Sequence, residues 1–241
     1  MTAAYYNEND PYAAQWLRGL IAFDHIPDGW VDERDIRDVP ASDLHGFDQH
    51  HFFAGVGGWP EALYLAGWPA NRPVWTGSCP CQGFSEAGQR RGFDDERHLW
   101  PDWFRLIRER RPPIVFGEQV PEAITLGWLD EVSNDLQSAD YAIGAAVLSA
   151  CLVEAPQERE RLWFVARANS FTPQWPSKPR LERDPWPAEP DLPRVAHGLP
   201  EQPYIRRAYG NAIIPAAGAH FIEVATEAMT SLKRDESSER A

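Results

Sequence analysis

The sequence predicts an α/β fold built on a doubly wound, mostly parallel sheet. Short apolar runs alternate with helical patterns along most of the chain, which is typical of strand-helix-strand units. Several of these runs end in a glycine turn or an acidic residue, and open α/β sheets bind ligands at such strand ends. With 241 residues, of which 43% are hydrophobic, the chain can bury one sizeable core and carry a small appendage.

Composition restricts the compartment and the partners. The chain has 3 cysteines, too few for a disulfide framework, and it has neither a signal peptide nor an apolar run of membrane-spanning length. We therefore expect a cytoplasmic protein without a membrane partner. The net charge of −13 argues against non-specific nucleic-acid binding, because phosphate-binding surfaces are basic. A nucleic-acid partner would require the arginines to gather on one face.

The N-terminal region predicts a strand, an acidic turn and a helix. Tyr5 and Tyr6 suit a strand, Asp10 is a candidate N-cap, and Pro11 occupies the favoured first helical position. Glu8 lies just beyond the strand, where a carboxylate can accept hydrogen bonds from both hydroxyls of a ribose. Residues 31–39 predict a second strand, with Asp35 near its end.

A glycine turn follows the third predicted strand and opens a helix. Gly55, Gly57 and Gly58 allow the backbone to approach a ligand at the helix N-terminus. Free N–H groups and the helix dipole favour an anionic group there.

Cys81 is a candidate nucleophile at the end of a further strand. A short apolar run, residues 73–75, ends in Gly77, and Pro80-Cys81-Gln82 then opens a loop rich in glycine and arginine. Beyond it, residues 95–111 predict a helix and residues 113–120 a buried strand that ends in Glu118. Residues 121–139 predict a helix, and residues 141–153 and 161–166 predict two strands.

Together these segments resemble the motifs of the cytosine-C5 DNA methyltransferases. The matching stretches are Glu8-Asn-Asp-Pro-Tyr-Ala, Asp35-Ile36, Phe53-Ala-Gly-Val-Gly-Gly58, Pro80-Cys81-Gln82, Glu118-Gln-Val, Gln157-Glu-Arg-Glu-Arg161 and Gly210-Asn211. The first two precede the glycine turn here, whereas they follow it in most of the family. The resemblance implies a compact, phage- or bacterial-type member with a Rossmann-like methyltransferase sheet in rearranged strand order. Residues 40–49 would carry the crossover that this order requires.

The resemblance also implies a role for each motif. The catalytic residues would be Cys81, Glu118, Arg159 and Arg161, with the cysteine adding to a flipped-out cytosine and the glutamate acting on its ring nitrogen. S-adenosylmethionine would be held by Glu8, Asn9, Asp35, Ile36, Phe53, Gly55, Gly57, Gly58, Pro80 and Asn211, and no metal is implied. The chain departs from the family at three positions, Arg34, Gln119 and Ala212, where the family has glycine, asparagine and serine.

We expect four regions. Residues 1–166 would form the catalytic and cofactor-binding domain, and residues 167–203 a short proline-rich segment in the place of the target-recognition domain. Residues 204–232 would complete the catalytic domain with a helix, and residues 233–241 would be a charged, frayed tail. The expected partner is double-stranded DNA in a restriction-modification setting, with a partner subunit or self-association left open for target recognition.

Three other interpretations remain at this point. The same motifs occur in a branch of the family that methylates tRNA, which the acidic charge permits. The departures at Gln119 and Ala212 would suit a non-catalytic S-adenosylmethionine-binding subunit of a modification complex. A metal site at Cys79, Cys81 and nearby histidines is the weakest alternative, because no second ligand pair stands at zinc spacing.

Overall fold

The computed structural model describes residues 3–80, 98–155, 159–171 and 212–238. Its centre is a 7-stranded sheet in the order β2-β1-β3-β4-β5-β7-β6. The strands are β1 (Ala4–Asn7), β2 (Gly29–Asp32), β3 (Gln49–Phe52), β4 (Val74–Gly77), β5 (Ile114–Gln119), β6 (Tyr141–Ser149) and β7 (Glu160–Ala168). The first five run parallel to one another, and β7 is antiparallel to both of its neighbours.

Helices cover both faces of this sheet. They are α1 (Pro11–Ala22), α2 (Gly58–Leu65), α3 (Trp100–Arg110), α4 (Glu122–Thr125), α5 (Trp128–Ser138) and α6 (Pro215–Ser238). Successive residues of a strand point to opposite faces, and β5 follows this rule. Val115 packs with the tryptophans of α3 and α5, whereas Ile114 and Phe116 pack with α2 and α6. The predicted doubly wound fold is therefore confirmed.

The rearranged strand order is also confirmed. β1 lies between β2 and β3 and pairs with both in parallel, so the chain must cross β1 after β2. Two short 3-10 turns, Ile36–Asp38 and Ala41–Leu44, make this connection. Arg105 of α3 donates hydrogen bonds to the carbonyls of Ile36 and Val39 at 3.3 and 3.0 Å. A connection without a long helix is thus fixed by a side chain from the helix packed beside it.

Asp10 and Pro11 begin the first helix as predicted. Asp10 is the N-cap of α1, and its carboxylate accepts from the N–H groups of Tyr12 and Ala13 at 2.9 and 3.2 Å. Because α1 starts immediately after β1, Glu8 is confined to the short turn between them.

Several predicted boundaries were wrong. The strand expected over residues 31–39 ends at Asp32, and Asp35 instead caps the first 3-10 turn. The helix expected over residues 121–139 is divided in two by Gly127, which has φ of 80°. The strand expected to reach residue 153 ends at Ser149, where a 3-10 turn replaces it.

The C-terminal boundary also differs from the expectation. The backbone of α6 continues to Ser238, so most of the expected tail is helical. Within the described ranges, no helix is both long and apolar enough to cross a membrane.

Candidate functional site

The glycine turn between β3 and α2 is closely packed at two of its glycines and open at the third. Gly55 and Gly57 have φ of 56° and 87°, a region that side chains disfavour. A Cβ on Gly57 would lie 2.9 Å from Leu20, and a Cβ on Gly58 would lie 2.6 Å from Ile213. A Cβ on Gly55 would meet nothing nearer than 4.0 Å. The turn therefore packs tightly against the protein and leaves space at Gly55.

Phe53 begins this turn in an unusual backbone conformation. Its φ is 50°, which is uncommon for a residue with a Cβ. The ring is partly buried and meets Trp103 edge-on, with ring centroids 6.1 Å apart. This packing fixes the point at which the chain leaves β3.

Glu8 connects the first motif to the glycine turn. Its carboxylate accepts a hydrogen bond from the Gly55 N–H at 2.7 Å and another from the Asp10 N–H at 2.9 Å. Glu8 and Gly55 are 47 residues apart, but β1 and β3 are parallel neighbours, so their carboxyl ends meet at one edge of the sheet. Two candidate cofactor-binding residues predicted independently from the sequence are therefore in direct contact.

Asp35 and Ile36 lie beyond the end of the neighbouring strand, β2. The Asp35 carboxylate accepts hydrogen bonds from the side chain of Arg37 at 2.9 and 2.7 Å, and these bonds lower its pKa. Ile36 is buried and belongs to the same core cluster as Phe52. Asn9 follows Glu8 and is exposed.

Arg34, which replaces the family's glycine, has a structural role. Its guanidinium pairs with Asp32 at 2.6 Å and with Asp43 of the crossover at 2.8 Å. The arginine therefore fastens the end of β2 to the connection that crosses β1.

Glu118 and Arg161 form an ion pair between the neighbouring strands β5 and β7, in which Glu118 is buried and Arg161 is partly exposed. Glu118 lies on β5, is only 5% exposed, and accepts from Arg161 Nε at 2.7 Å. Burial raises the pKa of Glu118, and the charges of Arg161 and Arg159 together with a hydrogen bond from Ser78 oppose that rise. The carboxyl is thus held by Arg161, and its pKa lies above the ordinary value.

Arg159 lies beside this pair. Its pKa is lowered, first by burial and then by the charge of Arg161. One of its terminal nitrogens is buried and has no hydrogen-bond partner in the described part of the chain. A buried donor without an acceptor is costly, so Arg159 is suited to an acceptor supplied by a bound molecule.

Gln119 contacts the backbone that leads to Pro80. Its side-chain amide donates to the Cys79 carbonyl at 3.4 Å, and its side-chain oxygen accepts from the Val120 N–H at 2.9 Å. The longer side chain that replaces the family's asparagine therefore still connects β5 to this segment.

Of the two cysteines of Cys79-Pro-Cys81, the structure describes only the first. Cys79 is buried in the core beneath α3 and α5, and burial raises its thiol pKa well above the ordinary value. A buried thiol of raised pKa is a poor nucleophile. Pro80 is the last described residue before Cys81, and Cys81 and Asn211 lie outside the described residues.

Ser78 and Trp59 are two further residues of the site that were not predicted from the sequence. Ser78 hydrogen-bonds Glu118, and its hydroxyl oxygen accepts from the Trp59 indole N–H at 3.0 Å. Ser78 is the first residue after β4, so the rule that polar residues at strand ends face the ligand crevice could have found it. Nothing in the sequence indicates that Trp59 donates to Ser78.

The glycine turn, the acidic residue after the adjacent strand and the doubly wound sheet are together typical of the class of nucleotide-binding α/β folds. A model of the family of C-5 cytosine-specific DNA methylases matches residues 69–215, which is more than half of the chain. The chain therefore belongs to the C-5 cytosine-specific DNA methylase family.

Curated relatives match over shorter stretches. The Type II methyltransferase M.HhaI of Haemophilus parahaemolyticus is 36% identical over 99 residues, which cover 39% of this chain and 30% of that protein. The Type II methyltransferase M.BspRI of Lysinibacillus sphaericus is 29% identical over 134 residues, 54% of this chain and 28% of that protein. Each match thus spans less than a third of the relative. A solved structure of the Entamoeba histolytica methyltransferase EhMeth has a TM-score of 0.43 and 15% identity, covering 72% of this chain and 55% of that one.

Proposed function

We propose that this chain methylates C5 of cytosine in DNA, with S-adenosylmethionine as the methyl donor. The observation that carries the proposal is the buried Glu118 carboxyl, which is paired with Arg161. Glu118 lies on β5, next to β4, the strand that leads into Pro80-Cys81. Family membership supports the same reaction. In this arrangement the Cys81 thiol and the Glu118 carboxyl would act on the same cytosine.

The residues at the glycine turn fit the methyl donor. The Glu8 carboxylate has only acceptors, which suits ribose hydroxyls, and Gly55 leaves open space beside it. The N-terminus of α2 at Gly57 and Gly58 suits the carboxylate of the methionine portion. We assign the remaining cofactor contacts to Asn9, Asp35, Ile36, Phe53, Pro80 and Asn211. S-adenosylmethionine supplies an electrophilic methyl group when bound.

The chain's own residues would activate the cytosine. The Cys81 thiolate adds to C6, forming a carbon-sulfur bond and moving the ring electrons toward N3 and C5. Glu118 donates a proton or hydrogen bond to N3 as charge develops there, which its raised pKa favours. After methylation a base, water in our scheme, removes the C5 proton, and the electrons of that bond expel Cys81 as thiolate. Arg159 and Arg161 support the reacting cytosine and a nearby phosphate.

The substrate would be duplex DNA from which the target cytosine is flipped, because the reacting atoms are covered in a stacked helix. We place target recognition in residues 167–203, or in a partner subunit or second copy, and we assign the enzyme to a restriction-modification setting.

One experiment tests the proposal. The protein is incubated with labelled S-adenosylmethionine and mixed-sequence duplex DNA, with tRNA as a parallel substrate, and methylated cytosines are mapped by sequencing. Label in DNA and a covalent complex with 5-fluorocytosine DNA are expected. Label only in tRNA would show that the substrate is RNA and not DNA. S-adenosylmethionine binding without either product would make the chain a non-catalytic subunit.

A further inference from the structure

A hydrogen-bonded chain of three side chains connects the glycine turn to the buried carboxyl. Trp59 lies in the first turn of α2, immediately after Gly58. Its indole N–H donates to the Ser78 hydroxyl at 3.0 Å, and Ser78 in turn hydrogen-bonds Glu118. The register Gly77 to Gly117 between β4 and β5 brings Ser78 beside Glu118.

The direction of these hydrogen bonds is determined by chemistry. An indole N–H can only donate, so the Ser78 oxygen is an acceptor toward Trp59. The single hydroxyl proton of Ser78 is then available for the Glu118 carboxylate. A serine without the tryptophan could rotate its hydroxyl to other acceptors.

We propose that Ser78, oriented by Trp59, is a positioning residue that holds the Glu118 carboxyl against Arg161 and sets how readily it exchanges its proton. The inference rests on the proposed methyl transfer for its catalytic meaning, but the hydrogen bonding itself is independent of any ligand.

The other groups facing Glu118 act in known directions. Arg161 of β7 and Arg159 just before it favour the ionised carboxylate, as does the Ser78 hydroxyl, whereas burial favours the neutral acid. The thiol of Cys79 is also close enough for its pKa to be raised by the charge of Glu118. Removing the Ser78 hydroxyl leaves burial less opposed, so the pKa of Glu118 must rise.

The test compares Ser78→Ala with Ser78→Thr, which keeps the hydroxyl. The Glu118 carboxyl is titrated by infrared difference spectroscopy against Glu118→Gln, and the same variants are assayed for the pH dependence of methylation. We expect the titration of Glu118 to move to higher pH in Ser78→Ala and to return in Ser78→Thr. The pH dependence of methylation is expected to move to higher pH together with that titration in Ser78→Ala, and to return in Ser78→Thr.

Trp59 has a matched control. Trp59→Phe removes the donor to Ser78, whereas Trp163→Phe makes the same change in the adjoining ring, whose indole N–H is buried without a partner in the described ranges. Trp59→Phe is expected to move the Glu118 titration in the same direction as Ser78→Ala, and the double variant Trp59→Phe/Ser78→Ala to move it no further. Trp163→Phe should leave it in place.

Two results would overturn the inference: an unmoved Glu118 titration in Ser78→Ala, or an equal shift in Trp59→Phe and Trp163→Phe. Because the infrared titration needs neither DNA nor methyl donor, it separates this inference from the proposed function. An inactive wild-type protein with the expected shifts would reject only the proposed function.

Discussion

Replacing Glu8 tests the rearranged site most directly. In Glu8→Ala two backbone donors lose their carboxylate, the N–H of Gly55 at 2.7 Å and the N–H of Asp10 at 2.9 Å. The proposed ribose hydroxyls lose their acceptor as well. Glu8 is only partly buried, so water replaces some of these bonds. We expect a loss of about 1–3 kcal/mol in S-adenosylmethionine binding, or roughly five- to 150-fold in Kd.

Isothermal titration calorimetry measures this loss, and Asp10→Ala provides the control. Asp10 caps α1 through the N–H groups of Tyr12 and Ala13, so its replacement should lower stability by about 0.5–2 kcal/mol. It removes no carboxylate from the Gly55 N–H and should leave cofactor affinity nearly unchanged. Unaltered affinity in a folded Glu8→Ala protein would refute the placement of the ribose at Glu8.

Three further predictions concern the nucleophile, the packing of the turn and DNA binding. Cys81→Ser should abolish methylation while Cys79→Ser keeps much of it, because Cys79 is buried with a raised thiol pKa; equal losses would contradict the assignment. Gly58→Ala should lower the free energy of unfolding by about 1–3 kcal/mol, since its Cβ would lie 2.6 Å from Ile213. In chemical denaturation, adding Ile213→Ala should cost less in Gly58→Ala than in wild type, and strict additivity would reject the clash. Neutralising Lys178, Arg180 and Arg183 together should weaken DNA binding. The slope of log affinity against log salt should flatten by about 0.9 per lost phosphate contact, and an unchanged slope would exclude phosphate contacts at these residues.

The strand order and the assignment of Glu8 and Gly55 to one edge of the sheet could be predicted because the signals are local. Each strand is a short apolar run followed by a motif residue, and parallel strands bring their carboxyl ends to one edge of the sheet. No knowledge of side-chain packing is needed to place the ends of β1 and β3 at one edge. The hydrogen bond between Glu8 and Gly55, 47 positions apart, is a finding of the structure.

The end of β2 could not be predicted in the same way. The Asp32 side chain is buried and accepts from the Tyr5 hydroxyl at 2.8 Å and from Arg34. Those contacts end the strand early and turn the following residues into the crossover, and one of them comes from a strand 27 residues away. The contact between Trp59 and Ser78 was missed for the same reason, since neither residue carries a signal for its partner.

The rearranged order also bears on how this sheet assembles during folding. We expect β1 and β2, which are consecutive in the chain, to pair before β3, β4 and β5 join the free edge of β1 one after another. After the single step across β1, every added parallel strand therefore finds its partner among residues already in place. These pairings still join residues 25 to 45 positions apart, so each one closes a long loop at an entropic cost that slows folding. A chain in the usual order builds one half of the sheet first and returns once across its first strand before the other half can grow.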